Sequence, residues 1–289
     1  MYEAFFGLNE KPFSLSPDPR FLFLGRRHEQ AYAMLQYGIH EQVGFSVITG
    51  EIGSGKTTLM RKVIEAIDDG VNIGIVSHTH HGMDQIIPIV LDSFGVSSDS
   101  LSQHESLHYR TFTAHLKAEY LNGRRSILVI DEAQNLSVKA LEQLRLLSNI
   151  NVDGHVLLQT VLIGQPELRD TLKAPELKQF AQRISVDYFL SRLTNKEALQ
   201  YIDFRIQVAG GDPELFDQKA KHLIVFLAKG LPRVINNLAD MALVYAFGEG
   251  LKQVTKSIVL DVLRDKERGG ILPIASLEEL RSAVSHARA

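Results

Sequence analysis

The chain is 289 residues long, enough for one large domain or two smaller ones, and its 45% hydrophobic and 22% charged residues are the balance of a soluble globular protein. It has no cysteine and no Trp, which excludes a disulfide scaffold and a Cys-ligated metal site and fits a reducing compartment. A net charge of −3 and a pI near 6.4 give no global pull toward nucleic acid or an anionic membrane surface.

The chain opens MYEAFFGLNEKPF, without the basic and then apolar pattern of a secretory signal, and no apolar run reaches the roughly 18 residues of a membrane span. The expectation is a cytoplasmic protein with no direct membrane insertion. Three prolines in Lys11–Leu24 (KPFSLSPDPRFLFL) argue against a helix and for an extended strap followed by a turn. Phe5, Phe6, Phe13, Phe21 and Phe23 read as its packing anchors rather than as base-stacking platforms. From His28 to His40, Ala31, Met34, Leu35 and Ile39 fall at helical spacing. Arg26-Arg27 and Arg124-Arg125 are isolated basic pairs and read as solvated surface.

Strand-like and helix-like segments then alternate. The strands expected are Phe45–Thr49, Asn72–Ser77, Ser126–Asp131, Val156–Ile163 and Ile184–Phe189; the helices are Lys56–Asp68, Met83–Phe94, His104–Asn122 and Ser137–Asn149. Runs such as SILVID lack polar alternation, as strands buried on both faces should, so a largely parallel sheet covered by helices is expected. After Ser191 no further strand is read. Thr194–Ala209, Asp217–Ala228, Leu231–Phe247 and Thr255–Asp265 read as four helices between Gly- or Pro-containing turns. The expected organisation is therefore an N-terminal strap and helix over 1–44 joined to an α/β core over 45–190, a helical domain over 191–268, and a tail over 269–289 with one weak amphipathic helix (Leu277, Leu280, Val284).

Between the first strand and its helix stands GEIGSGKTT, Gly50 to Thr58, which fits the pattern G-x-x-x-x-G-K-[ST]. A Gly-rich loop opening a helix points several backbone N–H groups at one spot, where anionic oxygens bind. Lys56 can fold back over the β- and γ-phosphates of ATP, and the Thr57 hydroxyl can ligate Mg²⁺. Mg²⁺ takes few protein ligands and keeps waters, so a carboxylate is expected nearby. Ile127-Leu-Val-Ile-Asp131-Glu132 supplies it: Asp131 for the metal's hydration shell, Glu132 to polarise the attacking water. Gln165 ends another apolar strand in VLIGQPEL and reads either as a turn residue or as a contact to the γ-phosphate or lytic water. Arg183, in QFAQRISV, precedes the last strand and is either a surface charge or a finger for a neighbouring subunit's ATP. In GLPRV, Pro232 fixes a helix start and Arg233 aims back toward the nucleotide.

Two features carry less. Ser77-His-Thr-His-His81 has imidazoles but no acid, and reads as a polar loop, with nucleotide-proximal or partner contacts the other option. His28, just ahead of the P-loop segment, reads as capping or core packing, with adenine contact the other option.

Taken together, GEIGSGKTT, ILVIDEAQNL, LLSNINVDGHVLLQTVLIGQPELRDTL, FAQRISVDYFL and GLPRVINNLAD, with FFGLNEKPFSLSPDPRFLFL at the start, resemble the AAA+ ATPases of the general secretion pathway protein A (ExeA) family across roughly residues 2 to 265. The resemblance implies a P-loop AAA+ parallel sheet domain followed by a C-terminal helical lid. It also implies a Walker A segment made of Gly50, Glu51, Ile52, Gly53, Ser54, Gly55, Lys56, Thr57 and Thr58, and a Walker B pair of Asp131 and Glu132. Gln165 corresponds to sensor 1, Arg183 to an arginine finger acting in trans, and Arg233 to sensor 2. It implies ATP and Mg²⁺ as ligands, a homo-oligomer, and a protein partner in a cell-envelope machine for secretion, pili or exopolysaccharide. The family's secretion protein continues into a membrane span and a peptidoglycan-binding region, neither of which is read in these 289 residues, so what carries over is the ATPase. The alternative is an ATP-gated, DNA-binding transposition regulator of the related TnsC type, which recruits a transposase.

Overall fold

A computed structural model of the chain describes residues 1–68, 70–77, 79–80, 82–97 and 105–269. The expected tail helix and two of the loop histidines, His78 and His81, lie outside them. In chain order the elements are α1 (Glu3–Phe6), α2 (Arg26–His40), β1 (Phe45–Gly50), α3 (Lys56–Glu65), β2 (Val71–Val76), α4 (Ile87–Ser93), α5 (Glu105–Leu121), β3 (Arg125–Ile130) and α6 (Val138–Leu147). They continue as β4 (Asn151–Val152), β5 (His155–Val156), β6 (Leu158–Gly164), α7 (Pro166–Leu172), α8 (Lys178–Ala181), β7 (Ile184–Leu190), α9 (Asn195–Val208), α10 (Gln218–Ala228), α11 (Pro232–Gly248) and α12 (Lys256–Gly269). Short 3-10 turns at Pro19–Phe21 and Ala133–Asn135 complete the parts used below.

Contacts divide the chain into a sheet unit, Glu29–Glu51 with Leu59–Leu190, and a helical unit, Met1–His28 with Ile52–Thr58 and the chain from Ser191 onward. In the sheet unit five parallel strands stand in the order β2-β3-β6-β1-β7. The central strands β1 and β6 are buried at every residue, which is why FSVIT and LQTVLI show no polar alternation. Phe45, Leu128, Ile130, Leu141, Leu144, Leu162 and Phe180 belong to the core on one face. Because all five strands run the same way, Gly50, Val76, Ile130, Gly164 and Leu190 finish at one edge of the sheet.

Two expectations shift here. The strand expected from Val156 is split: β5 pairs antiparallel with β4 in a small hairpin, and β6 begins at Leu158. Asp153 and Gly154, both left-handed (φ 51 and 82), make the tight turn that suits the strand twist. The helix expected from Met83 starts at Ile87, because Pro88 lacks an N–H and is tolerated only in a first turn. Met83 instead forms a parallel bridge to Leu136.

The helical unit packs α9 to α12 around Ile202, Ile224, Leu238, Leu243 and Leu263. Thr194 and Glu197 close a capping box on α9, and the Asp217 carboxylate caps α10. The strap, which the sequence reading joined to the α/β core, packs within this unit. Phe13 is buried edge-on against Phe216, and Phe5 sits against Phe247. Buried Arg205 gathers the strap: its guanidinium donates to the Pro12 carbonyl at 2.5 Å and the Ser14 carbonyl at 3.0 Å and lies 4.5 Å over the Phe21 ring. α1, a single turn ahead of the prolines, is held where the buried Tyr2 hydroxyl donates to Asp240.

Candidate functional site

The sheet unit brings Asp131, Glu132 and Gln165 together at the edge where Gly50 opens the Gly-rich segment. Asp131 directly follows β3 and its backbone N–H donates to the Val76 carbonyl at 2.9 Å, extending the ladder by one residue. Its carboxylate accepts the Glu132 N–H at 2.9 Å. Glu132 is left-handed (φ 55, ψ 37), a conformation an L-residue with a side chain adopts at a cost of about 1–2 kcal/mol. The Thr79 hydroxyl, bonded to the Glu132 carbonyl at 2.9 Å, pins that turn, and the Asn135 amide donates to the Thr79 carbonyl at 3.0 Å. The turn swings the exposed Glu132 side chain toward the end of β6. There its Oε2 accepts from Gln165 Nε2 at 3.1 Å and from Gln134 Nε2 at 2.6 Å.

Arg183 is not in that group. It precedes β7, so it stands at the opposite edge of the sheet, and its Nη1 donates to the Ser148 hydroxyl at 3.1 Å. A seven-residue strand spans roughly 20 Å, more than an arginine side chain can bridge. Three residues that the sequence reading passed over stand with the acidic pair or close to its edge: Thr79, Gln134 and Arg169. Arg169, on α7, donates to Thr49 Oγ1 at 3.3 Å and pairs with Asp187 at 2.7 Å. Gln134 lies within the quoted ILVIDEAQNL segment and Thr79 within the Ser77–His81 loop, while Arg169 carries no local signal.

The Gly-rich loop is described with the helical unit. Gly53 and Gly55 take φ of +79° and +99°, conformations that turn loop amides inward. Arg233, at the first turn of α11, donates its backbone N–H to the Gly53 carbonyl at 3.2 Å. A Cβ on Gly53 would stand 2.4 Å from that of Arg233, so only glycine fits. His28 is 2% exposed, and its Nε2 lies 2.9 Å from the Ser54 carbonyl. Since a carbonyl only accepts, Nε2 carries the proton. Burial pushes the His28 pKa down, against the opposing pull of the Ser54 carbonyl and Glu197. Lys56, at the start of α3, is 9% exposed. Among the described residues the buried Ser54 hydroxyl has no hydrogen-bond partner, as a donor waiting for an acceptor on a ligand would be. Inward amides, an unpartnered hydroxyl, a lysine and a threonine hydroxyl fit a polyphosphate, and oxygens alone fit Mg²⁺. Among the described residues no helix is long and apolar enough to cross a membrane.

A parallel sheet of this strand order, a Gly-rich loop after the central strand β1, and a helical unit after the last strand define an AAA+ fold of the P-loop class. Residues 39–172 match the family described as AAA domain. General secretion pathway protein A of Aeromonas hydrophila is 40% identical over 254 residues, 88% of this chain and 46% of that protein, so the chain spans about half the length of its curated relative. The fold is similar to that of CDC6P from Pyrobaculum aerophilum, with a TM-score of 0.69 at 17% identity over 88% of this chain and 70% of that one. It is also similar to the Aeropyrum pernix ORC1 protein in complex with DNA, with a TM-score of 0.66 at 20% identity over 90% and 70%. The chain belongs to the AAA+ ATPases of the general secretion pathway protein A family.

Proposed function

We propose that the chain is a Mg²⁺-dependent ATPase that assembles with copies of itself and couples ATP binding and hydrolysis to a cell-envelope machine. Residues 45–190 form the ATPase domain in this reading, 191–268 the lid, and 1–44 the strap and helix that precede them. The observation that carries it is the carboxylate of Glu132, turned by a left-handed residue to the sheet edge where the Gly-rich segment begins and held there by Gln165.

The amides of Gly50–Thr58 and the Lys56 ammonium bind the phosphates of ATP. Thr57 and Asp131 are the residues that would hold Mg²⁺, which neutralises charge on the phosphate oxygens. Glu132 takes the proton of the attacking water, and Gln165 orients that water or the γ-phosphate. Arg233 joins the lid to the loop through Gly53, so a change in loop geometry reaches α11. Arg183, on the far edge of the sheet, serves the nucleotide of a neighbouring copy, which supports a shared site and a homo-oligomer.

The envelope assignment rests on the relationship to general secretion pathway protein A. In this reading the chain works on the cytoplasmic side, peripheral to the inner membrane through a partner. Glu132→Gln tests the core of the proposal. The variant should bind ATP with Mg²⁺ by calorimetry as tightly as the wild type, while phosphate release falls ~10²–10⁴-fold. Normal turnover by this variant, or no Mg²⁺-dependent ATP binding by the wild type, overturns it.

A further inference from the structure

We propose that Gln134 is a positioning residue that ties the Gln165 backbone to the Glu132 carboxylate, so that the end of β6 and the water-activating group move as one. Both ends of its side-chain amide are engaged: Oε1 accepts the backbone N–H of Gln165 at 3.0 Å, and Nε2 donates to Glu132 Oε2 at 2.6 Å. The orientation of that amide follows from its partners, because an N–H needs an acceptor and a carboxylate needs a donor; the flipped amide satisfies neither.

Gln165 reaches the same Oε2 with its own side chain at 3.1 Å, which closes a ring of three hydrogen bonds. Two amide donors on Oε2 leave Oε1 as the atom to receive the proton of water. The neighbouring backbone leaves room for this bridge only because residue 164 is glycine: a Cβ there would stand 3.1 Å from Gln134 Oε1 and 2.8 Å from Leu168 Cδ2. Gln134 sits in the 3-10 turn Ala133–Asn135, directly after the left-handed Glu132, so the bridge also fixes the rotamer of a side chain on a left-handed residue. A displacement of Gln165 therefore reaches Glu132 by two routes, through its own amide and through Gln134, and misplacing a reacting group by about 1 Å costs on the order of 10²-fold in rate.

The inference rests on the ATPase reading, and two isosteric or near-isosteric changes separate the two. Gln134→Glu keeps an acceptor for the Gln165 N–H and loses the donor to Glu132; Gln134→Leu loses both. Each should lower kcat by roughly 10²-fold with KM for ATP within about twofold. Adding either to Glu132→Gln should cause no further loss, as expected of groups acting as a unit. In amide NMR of the full chain, the Gln165 N–H resonance should keep its position in Gln134→Glu and move upfield, with faster exchange, in Gln134→Leu. Wild-type kcat in Gln134→Glu overturns the proposal, as does an unmoved Gln165 resonance in Gln134→Leu, or a KM that rises in step with any fall in kcat. Failure of the ATPase reading looks different: Glu132→Gln then turns over normally, while the Gln165 resonance, which needs no turnover, still reports the bridge.

Discussion

Gly53→Ala asks whether the lid and the phosphate loop are joined as described. Gly53 has φ +79°, where an alanine costs about 1–2 kcal/mol. The new Cβ would also stand 2.4 Å from Arg233 Cβ, a distance two carbons do not share, so loop and helix must part. Parting them lengthens the 3.2 Å bond from the Arg233 N–H to the Gly53 carbonyl, worth about 1 kcal/mol. If ATP needs the loop in its present form, the sum of about 2–3 kcal/mol appears as roughly 30- to 150-fold weaker ATP binding. Titration calorimetry with Mg²⁺ and ATP reads this directly. Gly250→Ala is the control: its φ is +69° but its Cβ would meet nothing within 4 Å, so it carries the backbone cost without the collision and should leave affinity unchanged. Threefold or smaller weakening in Gly53→Ala, or equal weakening in the control, would refute the reasoning.

Lys56→Ala should remove ATP binding by the same titration. Arg183→Ala should bind ATP and hydrolyse it ~10³-fold more slowly or worse, and mixing it with Lys56→Ala should restore part of the phosphate release only when sites are shared between copies. Arg205→Met leaves the Pro12 and Ser14 carbonyls without their donor and should lower stability by about 3 kcal/mol in urea unfolding, with earlier proteolysis of the strap. The folded-state pKa of His28 lies below its ordinary value of 6.5, so the unfolded chain binds more protons between the two values. Its stabilising contribution is present above pH 6.5 and is lost as the pH falls toward the folded-state value. A His28→Gln variant should show a smaller loss of unfolding free energy over that window.

The strands were legible because a doubly buried strand has no polar face: LVI in β3 and VLI in β6 announce themselves by composition alone. The Gly-rich turn after β1 was legible because Gly53 and Gly55 stand where the backbone takes positive φ. What escaped was decided by tertiary partners. Hairpin strands of two residues, β4 and β5, are too short for any period, although Asp153-Gly154 carried the turn chemistry. Arg205 occupies a helical position that a charge usually gives to solvent, and only the strap carbonyls above it explain its burial. Nor does DEAQ say which way the Gln134 amide faces; that follows from the Gln165 N–H, which sits 31 residues further on.

Position 132 joins the proposed reactivity to an awkward backbone. Glycine would adopt φ 55° at little cost, and asparagine more readily than glutamate, so either replacement relaxes the turn while deleting the carboxylate that the proposed mechanism uses. Selection for thermal endurance alone, with turnover unobserved, should therefore enrich just those two residues at this position, and a library screened only for survival would drift toward folded, inert variants.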